Sequence, residues 1–99
     1  GNLIINMSQS ISTKLTIINK LGLHARAAAQ LASTANKYSC TIKVGRSQDK
    51  LVDAKSVMSL LLLAASNGAI LYFDIQGSDA KKAYKDIEQL LANRFNEVQ

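Results

Sequence analysis

The chain alternates between two hydrophobic rhythms, one of period two and one of period three to four. Residues 14–20 carry the first: Leu15 and Ile17 alternate with Lys14, Thr16 and Ile18, as a half-buried strand requires. Leu21-Gly22-Leu23 interrupts the alternation, and Gly22 can take the positive φ of a tight turn. From residue 25 to 37 the rhythm becomes helical, with Ala28, Leu31, Ala32 and Ala35 on one stripe. Alanine is the strongest helix former, and its small side chain lets a helix lie close to a sheet. A second strand is predicted over 39–44, with Cys40, Ile42 and Val44 on one face. A polar turn at 45–49 predicts a hairpin into a third strand over 50–53. Residues 55–66 read as a short helix ending at Asn67-Gly68, a left-handed cap. Residues 70–76 form a fourth strand with Leu71, Phe73 and Ile75 on one side. Ser78 and Asp79 offer an N-cap to a last helix over 80–94, whose inward stripe is Ala83, Tyr84, Ile87, Leu90 and Leu91.

The order is therefore βαββαβα. Each strand has one clearly apolar face, which predicts an antiparallel four-stranded sheet covered by helices on that side only. Ninety-nine residues suffice for one such α+β domain. A domain of this size has one modest core and no room for a deep enclosed site beside it, so its chemistry is expected at the surface. The domain is expected over 13–99. Residues 1–12 are the least periodic and read as an N-terminal extension, disordered or of cloning origin, with Met7-Ser8 as a natural start.

Composition narrows the function classes. The chain is 47% hydrophobic and 19% charged, with a net charge of +5, which suits a soluble domain with acidic partners. The basic residues are scattered, Lys81-Lys82 being the only adjacent pair, which argues against a nucleic-acid surface. The strands offer a base-stacking module only Tyr72 and Phe73, which fall on opposite faces. The longest apolar run, residues 60–65, is far short of the ~20 residues that span a bilayer, so no membrane insertion is expected. One cysteine, Cys40, points to core packing in a reducing, cytoplasmic setting. One histidine and one cysteine leave a tetrahedral metal site short of ligands, so no metal or other cofactor is expected.

The single histidine is the centre of the chemical reading. His24 stands in Gly22-Leu23-His24-Ala25-Arg26-Ala27-Ala28, at or beside the N-cap of the first helix. The first amides of a helix have no partner within it and, with the helix dipole, attract anions. The same positive end favours a neutral, nucleophilic imidazole over a cation. Arg26 supplies a guanidinium for phosphate oxygens. A phosphoryl group on His24 would gain ~1.5–3 kcal/mol per charge-assisted hydrogen bond, less at an exposed site. That is enough to hold it transiently without trapping it. The plainer alternative is a capping histidine with no chemistry. A free-standing enzyme fits less well, since no second acid or base accompanies His24 and there is no Gly-rich phosphate loop.

The string Leu21-Gly22-Leu23-His24-Ala25-Arg26-Ala27-Ala28 resembles the active-site signature of the histidine-containing phosphocarriers, the HPr family and its nitrogen-branch relative NPr. A second string, Lys55-Ser56-Val57-Met58-Ser59-Leu60-Leu61, resembles that family's regulatory-serine helix. The resemblance runs over residues 15–91. It implies an HPr-like open-faced β-sandwich with four antiparallel strands and three helices on one face. It implies a stoichiometric carrier of the phosphoenolpyruvate-dependent phosphotransferase system rather than an enzyme, working as a monomer. His24 would take a phosphoryl group on Nδ1 from Enzyme I and pass it to Enzyme IIA proteins or domains, with Arg26 on the phosphoryl oxygens. Ser56 would be the target of an HPr kinase/phosphorylase. Residues 19–22 and 90–95 look somewhat like the nitrogen-branch protein and residues 55–58 more like HPr proper, which favours the HPr type, serving sugar uptake or regulation, over the nitrogen branch. Two positions depart from the pattern. Ala27 stands where many relatives have proline, which restores an N–H to the first turn, and Leu21 stands where many have a small polar residue.

Four consecutive leucines, residues 60–63, cannot all face inward. Val57, Met58, Leu61 and Leu62 are therefore expected to form an exposed docking patch, with Leu23 and Ala27 contributing from the His24 loop. Lys20, Arg26 and Lys55 would rim it and steer acidic partners. Ser56 caps this short helix. The simple reading is an N-cap; the functional one adds a phosphate whose charge hinders docking.

Overall fold

A computed structural model describes residues 9–99 of the chain. Its elements are β1 (Gln9–Thr16), α1 (Ala25–Ala35), β2 (Thr41–Gly45), β3 (Val52–Asp53), α2 (Val57–Leu62), β4 (Ile70–Gly77) and α3 (Ala80–Ala92). The sheet order is β1-β4-β2-β3, antiparallel throughout. The last strand to form in sequence thus lies between β1 and β2, which is the split βαβ arrangement. The inward positions Ile42, Val44, Leu71, Phe73 and Ile75 join Leu31, Leu60, Ile87 and the alanines of α1 in one core. The opposite face of the sheet is open, and Lys14, Thr41 and Lys43 are exposed on it. The expected open-faced α+β sandwich is the observed one.

The differences lie at the element ends. The first strand covers Gln9–Thr16 rather than 14–20. Gln9 to Ser12 pair with Gly77 to Asp74, so residues 9–12 of the expected extension belong to the sheet. Ile11 between two serines continues the period-two pattern. The rest of that extension, residues 1–8, lies outside the described residues. Past Thr16 the alternation persists without a strand partner: Ile17 and Asn19 are buried while Ile18 and Lys20 are exposed. β3 is two residues long because the turn before it takes up the rest of the expected strand. Gly45 packs so tightly there that a Cβ would meet the Lys50 carbonyl.

α2 stops at Leu62 instead of Ser66. Ala64 has φ +51 and ends the helical path. Residues 65–68 then serve another purpose: the Gly68 N–H donates to Ile17 O at 2.7 Å and the Leu23 N–H to Ala65 O at 2.8 Å. Gly68, at φ +90, turns the chain into β4 rather than capping α2. Asp79 is also reassigned. It stands at the N-cap position of α3 but makes no cap hydrogen bond. Its carboxylate instead accepts from the backbone N–H groups of Ser39 and Cys40 at 2.9 and 3.0 Å. Those bonds, the Ser39 one foremost, hold its pKa below the ordinary carboxylate value. Cys40 is buried, and desolvation, with Asp79 adding to it, pushes its thiol up to about 11. Among the described residues no helix is long and apolar enough to cross a membrane.

After α3 the chain makes a turn that no local pattern predicts. Arg94, Phe95 and Asn96 have φ of 57, 54 and 62°. Left-handed backbone costs roughly 1–2 kcal/mol per non-glycine residue, so packing must hold it in place. The anchor is Phe95, whose ring is buried in the core. The Phe95→Ala variant is expected to lose ~3 kcal/mol or more of stability and to free the tail beyond it. Urea unfolding measures the first; a midpoint equal to that of the parent would contradict the anchoring role.

Candidate functional site

The loop before α1 determines where His24 stands. Asn19 is fully buried, and its amide donates to Gly22 O at 2.8 Å. Gly22 has φ +71, and a Cβ there would fall 2.6 Å from Ala65 O and 2.7 Å from the Ser66 Cα. Only glycine fits that close approach. The turn places Leu23 inward and His24 at the N-cap of α1, with extended backbone at φ −77° and ψ −179°. The Ala28 N–H donates to His24 O at 2.8 Å as the first bond of the helix. The Ala25, Arg26 and Ala27 amides ahead of it have no acceptor within the helix. No side chain caps them, and no acidic residue occupies the first turn. The helix therefore begins as an uncompensated positive end.

The His24 side chain is 29% exposed, neither packed inside nor free in solvent. Its Nε2 meets the Glu97 carboxylate. Glu97 reaches it from the C-terminal tail, and its other oxygen accepts from the Asn19 amide at 2.9 Å. One buried asparagine thus ties together the Gly22 turn and the carboxylate on the ring. The Asn19 hydrogen bond, more than any other influence, lowers the Glu97 pKa; the His24 contact and the Arg26 charge add to it. Farther along the tail, Gln99 O accepts from the Lys20 N–H at 3.0 Å. Lys20, Leu21, His24, Arg26 and residues 97–99 line an open depression of about 600 Å³.

Arg26 is exposed on the first turn, two residues from His24 and on the rim of this depression. Ser56 is the N-cap of α2, and its Oγ accepts from the Ser59 N–H at 3.2 Å. Met58 and Leu62 are 70% and 81% exposed, and Val57 and Leu61 about half as much. Lys20 is exposed, whereas the Lys55 ammonium is partly tied down, donating to Tyr38 O at 2.7 Å. Leu23 and Ala27, expected among the docking residues, are instead in the core. The Gly22 turn drives Leu23 inward, and Ala27 falls on the same buried stripe as Leu31. Leu21 is exposed on the wall of the same depression as His24. Glu97 and Asn19 were not expected at the site at all. The only trace in the sequence is Phe95, the one aromatic residue in a largely polar tail, which marks an anchored rather than a trailing end.

The Glu97 contact has a definite pH dependence. A carboxylate whose folded pKa is depressed stabilises the fold fully above its unfolded value, and that contribution is lost as pH falls through the folded value. The tail contact should therefore hold at neutral pH and through the ordinary glutamate range near 4.3, then release below it. Amide NMR signals of Glu97 and the Asn19 side chain should move together in that acidic window. A shift completed above pH 5 would contradict the arrangement.

Comparison with known proteins bears on what this arrangement is. The family model described as "PTS HPr component phosphorylation site" matches residues 11–93. The chain is 44% identical over 84 residues to the phosphocarrier protein HPr of Pseudomonas aeruginosa, covering 85% of this chain and 93% of that one. It is 34% identical over 87 residues to the phosphocarrier protein HPr of Neisseria meningitidis serogroup B, covering 88% and 97%. Among solved structures, HPr from Thermoanaerobacter tengcongensis superposes with a TM-score of 0.83 at 36% identity, over 90% of this chain and 99% of that one. HPr from Bacillus anthracis gives 0.76 at 29% identity, over 83% and 96%.

Proposed function

Since the chain belongs to the HPr family of phosphocarrier proteins of the phosphotransferase system, we propose that His24 is its phosphoryl-carrying residue, loaded by Enzyme I and unloaded onto Enzyme IIA proteins or domains in the cytoplasm. The observation that carries this reading is the partly exposed imidazole at the N-cap of α1, ahead of three amides without helical acceptors. With Nε2 engaged by Glu97, Nδ1 is the nitrogen left for the reaction. It is attached to the ring carbon that bears Cβ, so a phosphoryl group on it stays near the residue's own first turn. There the amides and the Arg26 guanidinium can take the phosphoryl charge.

The transfer is a displacement at phosphorus. The Nδ1 lone pair forms the new N–P bond while the donor's bond to phosphorus breaks and its electron pair returns to the donor group. The proton on Nε2 stays in place, so no general base is needed. The protein is a reactant in this chain of transfers and is restored at the end of each cycle. Its first turn lacks an acidic residue that would repel the phosphoryl group.

The exposed α2 side chains Val57, Met58, Leu61 and Leu62 form the docking surface in this reading, with Lys20 and Arg26 as its basic rim. An apolar patch that includes a flexible methionine suits several partners in turn. Ser56 is the regulatory site, a target for an HPr kinase/phosphorylase. Its Oγ already sits at the helix start as an acceptor, where a phosphate is electrostatically tolerated but places negative charge beside the patch. The working unit is a monomer. One related structure is described as an HPr dimer from Thermoanaerobacter tengcongensis, so the monomeric state is a separate test by light scattering.

The direct experiment is incubation with purified Enzyme I and phosphoenolpyruvate, read by intact mass. Wild type should gain one acid-labile phosphate, His24→Ala none, and Arg26→Ala should load more slowly or lose the group faster. Running the sugar-branch and nitrogen-branch forms of Enzyme I side by side identifies the donor. Undiminished labelling of His24→Ala would overturn the site.

A further inference from the structure

Glu97 lies on the tail, far from every motif that led to His24, yet its carboxylate is the group that meets the ring. We propose that Glu97 is a positioning residue that fixes the tautomer of His24, keeping the proton on Nε2 and the lone pair on Nδ1. Donor and acceptor chemistry dictates the tautomer. An ionised carboxylate can only accept hydrogen bonds, so the ring nitrogen facing it must carry hydrogen. The Asn19 amide, donating to the second Glu97 oxygen at 2.9 Å, keeps that carboxylate ionised and aimed. Asn19 is itself fully buried and braced by Gly22 O at 2.8 Å.

The tail is built to deliver this group. Phe95 is buried, the three left-handed residues at 94–96 reverse the chain, and the Glu97 N–H donates to Arg94 O at 2.9 Å. Gln99 O closes the tail onto the Lys20 N–H at 3.0 Å. Glu97 is thus held on both sides, by the Phe95 anchor and by the bond to the Lys20 backbone.

On the phosphocarrier reading this has a consequence for the reaction. When Nδ1 takes a phosphoryl group, the Nε2 proton remains and the ring becomes positive. Glu97 faces that developing charge, while Arg26 and Lys20, the other charged groups lining the depression, face the incoming anion. Glu97 acts through His24 and does not touch the phosphoryl group. Its effect belongs to the rate of the transfer step rather than to docking of the donor.

The tautomer can be read without any phosphorylation. In protein labelled with 15N-histidine, long-range 1H–15N NMR above pH 8 should show wild-type His24 as a single Nε2–H tautomer. In Glu97→Ala the two nitrogens should move toward the averaged shifts of a free imidazole. Glu97→Gln, whose amide oxygen can still accept, should fall between. A wild-type ring that already shows the averaged mixture, or a Glu97→Ala spectrum identical to wild type, would overturn the assignment. Single-turnover loading from phosphorylated Enzyme I then tests the consequence. The rate at saturating donor should fall roughly 10-fold in Glu97→Ala, about the value of one charge-assisted hydrogen bond at a half-exposed site. The donor concentration for half-saturation should hold steady. A fixed tautomer in a protein that accepts no phosphate would leave the Glu97 assignment standing and count against the carrier reading alone.

Discussion

The close packing of Gly22 against Ala65 and Ser66 governs the site. The backbone there passes so near its neighbour that no side chain fits, and the Leu23 N–H bonds directly to Ala65 O. This contact joins the entry to α1 to the segment that leaves α2. It forces Leu23 into the core and turns His24 outward at the moment the helix begins. The same contact explains why α2 is short: residues beyond Leu62 are needed as backbone partners for the His24 loop and for Ile17. A longer α2 would carry its leucine patch farther but would remove the wall against which the Gly22 turn is built.

On this scaffold the site is made from elements that the fold supplies for other reasons. The alanine-rich α1 packs against α2 and α3 through a buried stripe of mostly small side chains. Its N-terminus is left without a side-chain cap or a first-turn carboxylate, an arrangement that costs helix stability and leaves an anion site. The HPr family membership and the open-faced sandwich place this feature in a phosphocarrier context. On the proposed function the balance of effects matters: a few moderate interactions at a partly exposed site would hold a phosphoryl group long enough to be carried and weakly enough to be given up.

Much of this was legible in the residues. The period-two stretches gave the inward faces of β2 and β4 correctly, and the alanine stripe gave α1. His24, Arg26 and Ser56 fall at the helix starts where their types suggested. The failures have physical causes. Ile11 among serines was too weak a signal for a strand that β4 pairing stabilises. Asn67-Gly68 carries the signature of a helix cap, but the glycine is spent on the turn into β4. Leu23 and Ala27 are near His24 in sequence, yet the extended step at the N-cap turns Leu23 to the opposite side and the helical repeat puts Ala27 on the buried stripe with Leu31. Glu97 could not be found by pattern at all. Its approach to His24 spans 73 residues and depends on a left-handed turn held by Phe95.

The central claim is that the phosphoryl group is held on Nδ1 of His24 against the open amides of α1. The most direct measurement is 31P–15N coupling in enzymatically phosphorylated protein carrying 15N-labelled histidine, read together with backbone amide shifts. The account predicts one phosphoramidate signal coupled to Nδ1, with the Ala25, Arg26 and Ala27 amide protons moving downfield as they take up the new anion. Coupling to Nε2, or an Nδ1 adduct that leaves those three amides unmoved, would contradict it.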